Sequence, residues 1–192
     1  MKFNPDIHHR RSIRLKRYDY SRAGAYFVTV CTQNRECVFG EIIDGEMALN
    51  DIGKIVADEW MKTGAIRNEI ELDKWVVMPN HFHGIVMIRR GDRPVAPTPT
   101  TLPGPRPKSI GSLMSGFKSA VTKRINEIRK TPGIKIWQRN YYEHIIRNEN
   151  ELNRIREYIQ NNPMKWEFDR ENPNVGAGLK PAPTGVNESW QI

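Results

Sequence analysis

The stretch WVVMPNHFHGIVMI, residues 75–88, narrows most what this chain can become. It reads as a hydrophobic strand, a Pro-Asn turn and a second hydrophobic strand. Side chains alternate between faces along a strand, so His81 and His83 share one face while Phe82 and Gly84 take the other. The chain has five histidines in all, and two of them lie here, side by side in a core sheet. Such a pair can chelate a divalent cation, or it can simply hydrogen-bond to neighbouring backbone.

Elements of opposite periodicity flank this pair. AYFVTVCTQ (25–33) is β-branched and aromatic and reads as a strand, and Asp44-Gly45 signals a tight hairpin. Ile52, Ile55, Val56 and Trp60 recur at helical spacing behind an Asn50 or Asp51 cap. After the paired strands, Ser109 caps a helix with Ile110, Leu113, Met114, Phe117, Val121, Ile125 and Ile128 on one face. IKIWQRNYYEHIIR (134–147) reads as a strand, and a helix with Leu152, Ile155 and Ile159 inward runs to Pro163. The order predicts an α+β fold with a ferredoxin-like βαββαβ core, an antiparallel sheet and an added C-terminal helix. RNA-recognition modules share that skeleton, but strands 25–33 and 81–88 lack their aromatic stacking pair.

Residues 1–22 form a basic arm and 23–166 the domain, interrupted at 89–108 by a loop with six prolines; 167–192 is a Gly/Pro-rich tail expected to be flexible. The net charge of +8 is uneven: residues 1–35 carry +6, 36–75 carry −6, and 76–166 carry +10. That pattern points to nucleic acid. Arg10, Arg11, Arg14, Lys16 and Arg17 in the arm, Lys118, Lys123 and Arg124 on the second helix, and Trp137 and Arg139 are the candidate DNA contacts. No apolar run is long enough for a membrane span, and Cys31 and Cys37 make no disulfide framework, so a cytoplasmic, nucleoid-associated protein is expected.

Tyr158 and Asn162 stand four residues apart on the last helix, so a phenol and an amide oxygen can approach one point. No acidic residue occurs in MPNHFHGIVMIRR or YIQNNPMKW. A cation held by His81, His83 and Asn162 would therefore keep its full charge and polarise a phosphodiester. A tyrosine attacking that phosphate would make a phosphotyrosine diester close in energy to the bond broken, which suits strand transfer and not hydrolysis. His144 offers either a third ligand or a support for the sheet. Tyr141 and Tyr142 point to opposite faces as core or base-stacking positions.

MPNHFHGIV resembles the paired-histidine signature of the HUH endonucleases. With WQRNYYEHIIRNENELNRIREYIQNNPMKW, the RSIRLKRYDYSRAGAYFVTVCTQNRE opening and the FGEI hairpin, the chain resembles the REP-associated tyrosine transposases over residues 10–166. The resemblance implies a single-stranded DNA endonuclease and strand transferase acting at palindromic hairpins. It implies Tyr158 as nucleophile, His81, His83 and Asn162 around Mg²⁺ or Mn²⁺, a 5′-phosphotyrosine and a free 3′-hydroxyl. A monomer and a homodimer both remain open, as does a hairpin-binding descendant without catalysis.

Overall fold

A computed structural model describes residues 18–89 and 107–175. The arm arginines and lysines, most of the proline-rich loop and the last seventeen residues lie outside them. The described chain runs β1 (Gly24–Cys31), β2 (Gly40–Ile43), β3 (Glu46–Leu49), α1 (Asp51–Ile66), β4 (Ile70–Val77), β5 (His81–Ile88), α2 (Ile110–Arg129), β6 (Tyr142–Ile146) and α3 (Glu149–Asn161). Four strands form one antiparallel sheet in the order β4-β5-β1-β6, and β2 and β3 form a separate hairpin. Without the hairpin and α3, this is the expected βαββαβ arrangement.

Each element starts where the sequence supplies a cap or turn. The Asn50 side chain accepts from the amides of Ile52 and Gly53, Ser109 from Ser112, and Asn148 from Glu151. Asp44 and Gly45 both adopt positive φ, 53° and 78°, as a two-residue hairpin turn demands. In β5 the even residues Phe82, Val86 and Ile88 join the larger core with Trp60, Phe117 and Val121 from α1 and α2. Ile85, on the odd face, packs with Phe27 and with Leu152, Ile155 and Ile159 of α3. The sheet is thus covered on both faces, and the histidines lie on the α3 side. At Gly84 a Cβ would come within 2.8 Å of Trp60 and 2.9 Å of Phe82, so the missing side chain lets the Trp60 indole lie on the sheet.

Two features differ from the sequence expectation. The strand expected over 134–147 forms only at 142–146, with one isolated bridge from Trp137 to Thr32. The Lys118 Nζ donates to the carbonyls of Gln138 and Arg139 at 2.6 and 3.2 Å and draws that stretch away from the ladder. Ile128 is exposed, because the last turn of α2 runs past the buried cluster that ends at Ile125.

Arg156 fastens α3 to the sheet. Its Nε and Nη2 reach both carboxylate oxygens of Asp73 on β4, the shortest contact being 2.6 Å. Burial alone would raise the Asp73 pKa, but the bonds from Arg156 and the Lys74 amide hold it below its ordinary value of 3.8. Arg156→Ala should cost about 1 kcal/mol of unfolding free energy at neutral pH, after allowance for partial exposure. A depressed carboxylate stabilises above its unfolded pKa and loses that contribution as pH falls through the folded one. Urea titrations should therefore find the deficit constant above about pH 4 and shrinking below it.

Candidate metal and tyrosine site

The odd face of β5 and the end of α3 build the site together. β1 and β5 pair with Thr29 opposite His83 and Cys31 opposite His81, which sets the neighbours of both imidazoles. His81 is fully buried and its Nδ1 lies 2.9 Å from Asn80 Oδ1. The Asn80 amide is itself oriented, because its Nδ2 donates to the carbonyls of Arg35 and Glu171 at 3.0 and 2.6 Å. Its oxygen therefore accepts from His81 Nδ1–H, and the Nε2 lone pair of His81 points into the site. The Arg35 carbonyl reaches Asn80 from a turn in which Asn34 and Arg35 both adopt positive φ.

His83 is buried beside it, with ring centroids 4.5 Å apart. Its Nδ1 lies 2.7 Å from Thr29 Oγ1 and its Nε2 3.3 Å from the Tyr158 hydroxyl. Tyr158 as a residue is 41% exposed, but its hydroxyl turns inward onto His83. Asn162, one helical turn on, is buried beside His81, Tyr158 and Asp169, and its Oδ1 has no hydrogen-bond partner. His81 Nε2 is buried without a partner as well.

Asp169 completes the group and was not anticipated. Among the described residues His81, His83 and Asp169 are the one set of three such side chains whose ligand atoms all lie within 4.8 Å of one another. His81 Nε2 is 3.8 Å from Asp169 Oδ2. The expectation of a site without acidic residues is thereby corrected. Residues 167–175, grouped with the tail on sequence, instead fold back over the histidines. Their anchors are the Arg35–Glu171 ion pair at 3.1 Å, the Glu171 carbonyl on Asn80, and the Asn172 Nδ2 bond to the Trp166 carbonyl. Pro163 ends α3 by opening a 3-10 turn over 163–168, and that turn aims Asp169 at the site. A sequence signal existed in the Asp and Asn residues at 169, 172 and 174, which make turn bonds of their own.

Burial displaces every titratable group here toward its neutral form. It lowers His81 to about 4, Glu171 and Asn162 opposing and Arg35 assisting, and with the nearby His81 it lowers His83 well below 6.5. Burial raises Asp169 against the bonds it accepts from Glu171 N and Asn162, and it raises Tyr158, with Asp169 adding to the effect. The Cys31 thiol, which donates to Glu171 Oε2 at 3.4 Å, is pushed up to about 12 and is no nucleophile. Two imidazoles, an amide oxygen and a carboxylate thus converge, with His81 Nε2 and Asn162 Oδ1 free of partners, and this donor set fits a divalent cation.

The other sequence candidates fall elsewhere. His144 Nε2 bonds Glu151 Oε1 at 3.0 Å and ties β6 to the start of α3. Arg124 is engaged by Glu59 at 2.7 Å and Asp58 at 3.5 Å, holding α2 to α1. Trp137 is 5% exposed, with its ring 5.2 Å from Phe39 and 6.0 Å from Phe117, so it is a core residue and has no free face for a base. Lys123 lies on the surface of α2, 3.9 Å from Glu127, and Arg139 is exposed. No helix among the described residues is long and apolar enough to cross a membrane.

No family model matches the sequence. An uncharacterised protein of Haemophilus influenzae is 46% identical over 176 residues, spanning 88% of this chain and 96% of that one. The REP-associated tyrosine transposase of Escherichia coli is 26% identical over 86% of this chain and 87% of its own. A solved structure of a REP-associated tyrosine transposase bound to a REP hairpin superposes with a TM-score of 0.55 and 24% identity, covering 80% of this chain and 74% of that one, and shares the α+β fold. The class defined by fold and sequence is thus that of the transposases. Among its relatives, the named ones are REP-associated tyrosine transposases, to which the chain is similar over most of its length.

The depressed histidines make the site acid-sensitive in a definite direction. The unfolded chain takes up protons below about pH 6.5, whereas buried His81 resists them to about 4. The associated stability is present above 6.5 and is lost as pH falls through the folded value. In chemical denaturation His81→Gln should flatten the slope of stability against pH between those limits, with a difference of order 2–3 kcal/mol across the window.

Proposed function

We propose that the chain is a metal-dependent single-stranded DNA endonuclease and strand transferase, with Tyr158 as nucleophile. The observation that carries this reading is the convergence of four lone-pair donors from His81, His83, Asn162 and Asp169 on one recess that also holds the Tyr158 hydroxyl. The relative bound to a REP hairpin supports a hairpin-bearing strand as the substrate class. Both halves of the site come from one chain, so a single subunit suffices for chemistry. Action on DNA implies a cytoplasmic location.

His81 and His83 would hold the cation through their Nε2 atoms, with Asn162 and Asp169 completing its ligands. Mg²⁺ and Mn²⁺ both suit the oxygen donors, and the imidazoles favour Mn²⁺. When bound, such an ion supplies Lewis-acid polarisation of the scissile phosphate. Asn80 and Thr29 orient the two imidazoles from behind. Tyr158 Oη attacks phosphorus as the P–O3′ bond breaks, leaving a 5′-phosphotyrosine and a 3′-hydroxyl. The phenol gives up one proton and the 3′-oxygen gains one, so the step balances and reverses without a nucleotide cofactor. The phenol rests 3.3 Å from His83 Nε2, the atom a cation would take, so a bound cation would leave the Tyr158 hydroxyl to face substrate.

The test is a denaturing-gel assay with end-labelled single-stranded hairpins from the gene's flanks, with Mn²⁺ or Mg²⁺. A covalent adduct on the 5′-phosphate side is expected. It should vanish with chelator and with Tyr158→Phe, and fall by about 10²-fold or more with His81→Ala, the scale of losing an electrostatic stabiliser. Cleavage by Tyr158→Phe at the wild-type rate would overturn the reading. Tight binding with no adduct under either metal would instead identify a hairpin-binding protein.

A further inference from the structure

We infer that Phe27 on β1 is the positioning residue of the nucleophile, its ring keeping the Tyr158 ring beside His83 whether or not a cation is bound. This deepens the reading of Tyr158 as nucleophile and rests on it.

Phe27 is buried and reaches both partners. Its ring lies along the His83 imidazole, with centroids 5.3 Å apart and planes 24° from parallel. It meets the Tyr158 ring edge-on, at 6.1 Å and 86°. The His83 and Tyr158 rings are themselves 5.2 Å apart. The three rings thus form a closed set, and two of them carry the proposed chemistry. The sheet register makes this possible. Thr29 stands opposite His83 across β1 and β5, which leaves Phe27 on the diagonal of the same face, within reach of an aromatic side chain. Tyr142 of β6 packs edge-on against Phe27 at 6.3 Å and fixes that ring in turn.

Tyr158 needs such a support. Helix α3 buries Ile155 and Ile159, but Tyr158 falls on the flank of that face and is exposed as a residue. A tyrosine so placed is free to sample solvent-facing rotamers unless tertiary contacts select one. The 3.3 Å contact with His83 Nε2 selects the inward one, but a cation on that nitrogen would displace it. The Phe27 contact uses no lone pair and survives the exchange. Edge-to-face aromatic pairs contribute up to about tenfold in a population, and attack needs the reacting atoms within about 3–3.5 Å.

The test compares the full-length wild type with Phe27→Leu and with Ile146→Val, a truncation in the same apolar cluster that removes no ring. Adduct formation on the end-labelled hairpin with Mn²⁺ is timed under single-turnover conditions. Hairpin affinity is measured separately by anisotropy, and Mn²⁺ affinity by calorimetry. Phe27→Leu should slow the adduct about tenfold with both affinities within about twofold of wild type, whereas Ile146→Val should leave all three within about twofold. In 3-fluorotyrosine-labelled protein the ¹⁹F resonance absent from Tyr158→Phe identifies Tyr158. Its shift between H₂O and D₂O, a measure of exposure, should grow in Phe27→Leu. An unslowed adduct in Phe27→Leu, an equal slowing in Ile146→Val, a slowing matched by lost Mn²⁺ affinity, or an unchanged isotope shift would each overturn the inference and leave the wild-type adduct standing. Absence of any adduct from the wild type would overturn the nucleophile reading and this inference with it.

Discussion

Strand β5 is hydrogen-bonded along both edges, to β1 and to β4, and that double pairing fixes which of its side chains go where. A slip of one residue would drive both imidazoles into the Trp60–Phe117 core and turn Phe82 toward α3. The aromatic cluster resists this, since Phe82 sits 4.6 Å from Trp60 and 5.4 Å from Phe117 between ring centroids. Gly84 contributes by absence, because only a bare Cα leaves room for the indole. The large core on one face therefore holds the chemical face in register on the other. Two buried neutral imidazoles add little stability of their own, so the site draws its geometry from a core it does not touch.

Much of this was legible in the sequence because it depends on local periodicity. The period of two over 81–88, the helical spacing of Leu152, Ile155 and Ile159, and the Asn50, Ser109 and Asn148 caps are each written within a few residues. So was the meeting of Tyr158 and Asn162 on one helical face. What local pattern cannot carry is a partner brought in by tertiary contact. Asp169 sits in a run without periodicity, and Cys31, Arg35 and Asn80, each 91 or more positions upstream of Glu171, fasten that run to the sheet. Trp137 and Arg124 look like nucleic-acid residues by type, but one fills the core and the other pairs with α1. Residue type gives candidates, and burial decides among them.

The turn at residues 33–36 connects these parts. Its two positive-φ residues present one carbonyl to Asn80 and one guanidinium to Glu171. The first contact sets the tautomer of His81, and the second holds the segment that carries Asp169. Orientation of an imidazole and delivery of a carboxylate thus depend on the same short loop. That coupling resembles the outer hydrogen bonds that commonly orient metal-binding histidines.

The electrostatics of the recess follow from a single cause. Histidines pushed down, a carboxyl and a phenol pushed up are what a dry site does to groups whose charged neighbours are too weak to offset burial. Arg35 is the cation that bears on His81 and Asp169, and it acts from the rim where Glu171 already pairs with it. A second positive charge inside would act on all four at once. It would favour the carboxylate and the phenolate and would leave the imidazoles neutral, as ligands must be. The recess therefore has the ionisation bias of a site suited to a bound cation, and the Tyr158–His83 hydrogen bond engages the nitrogen that such a cation would take.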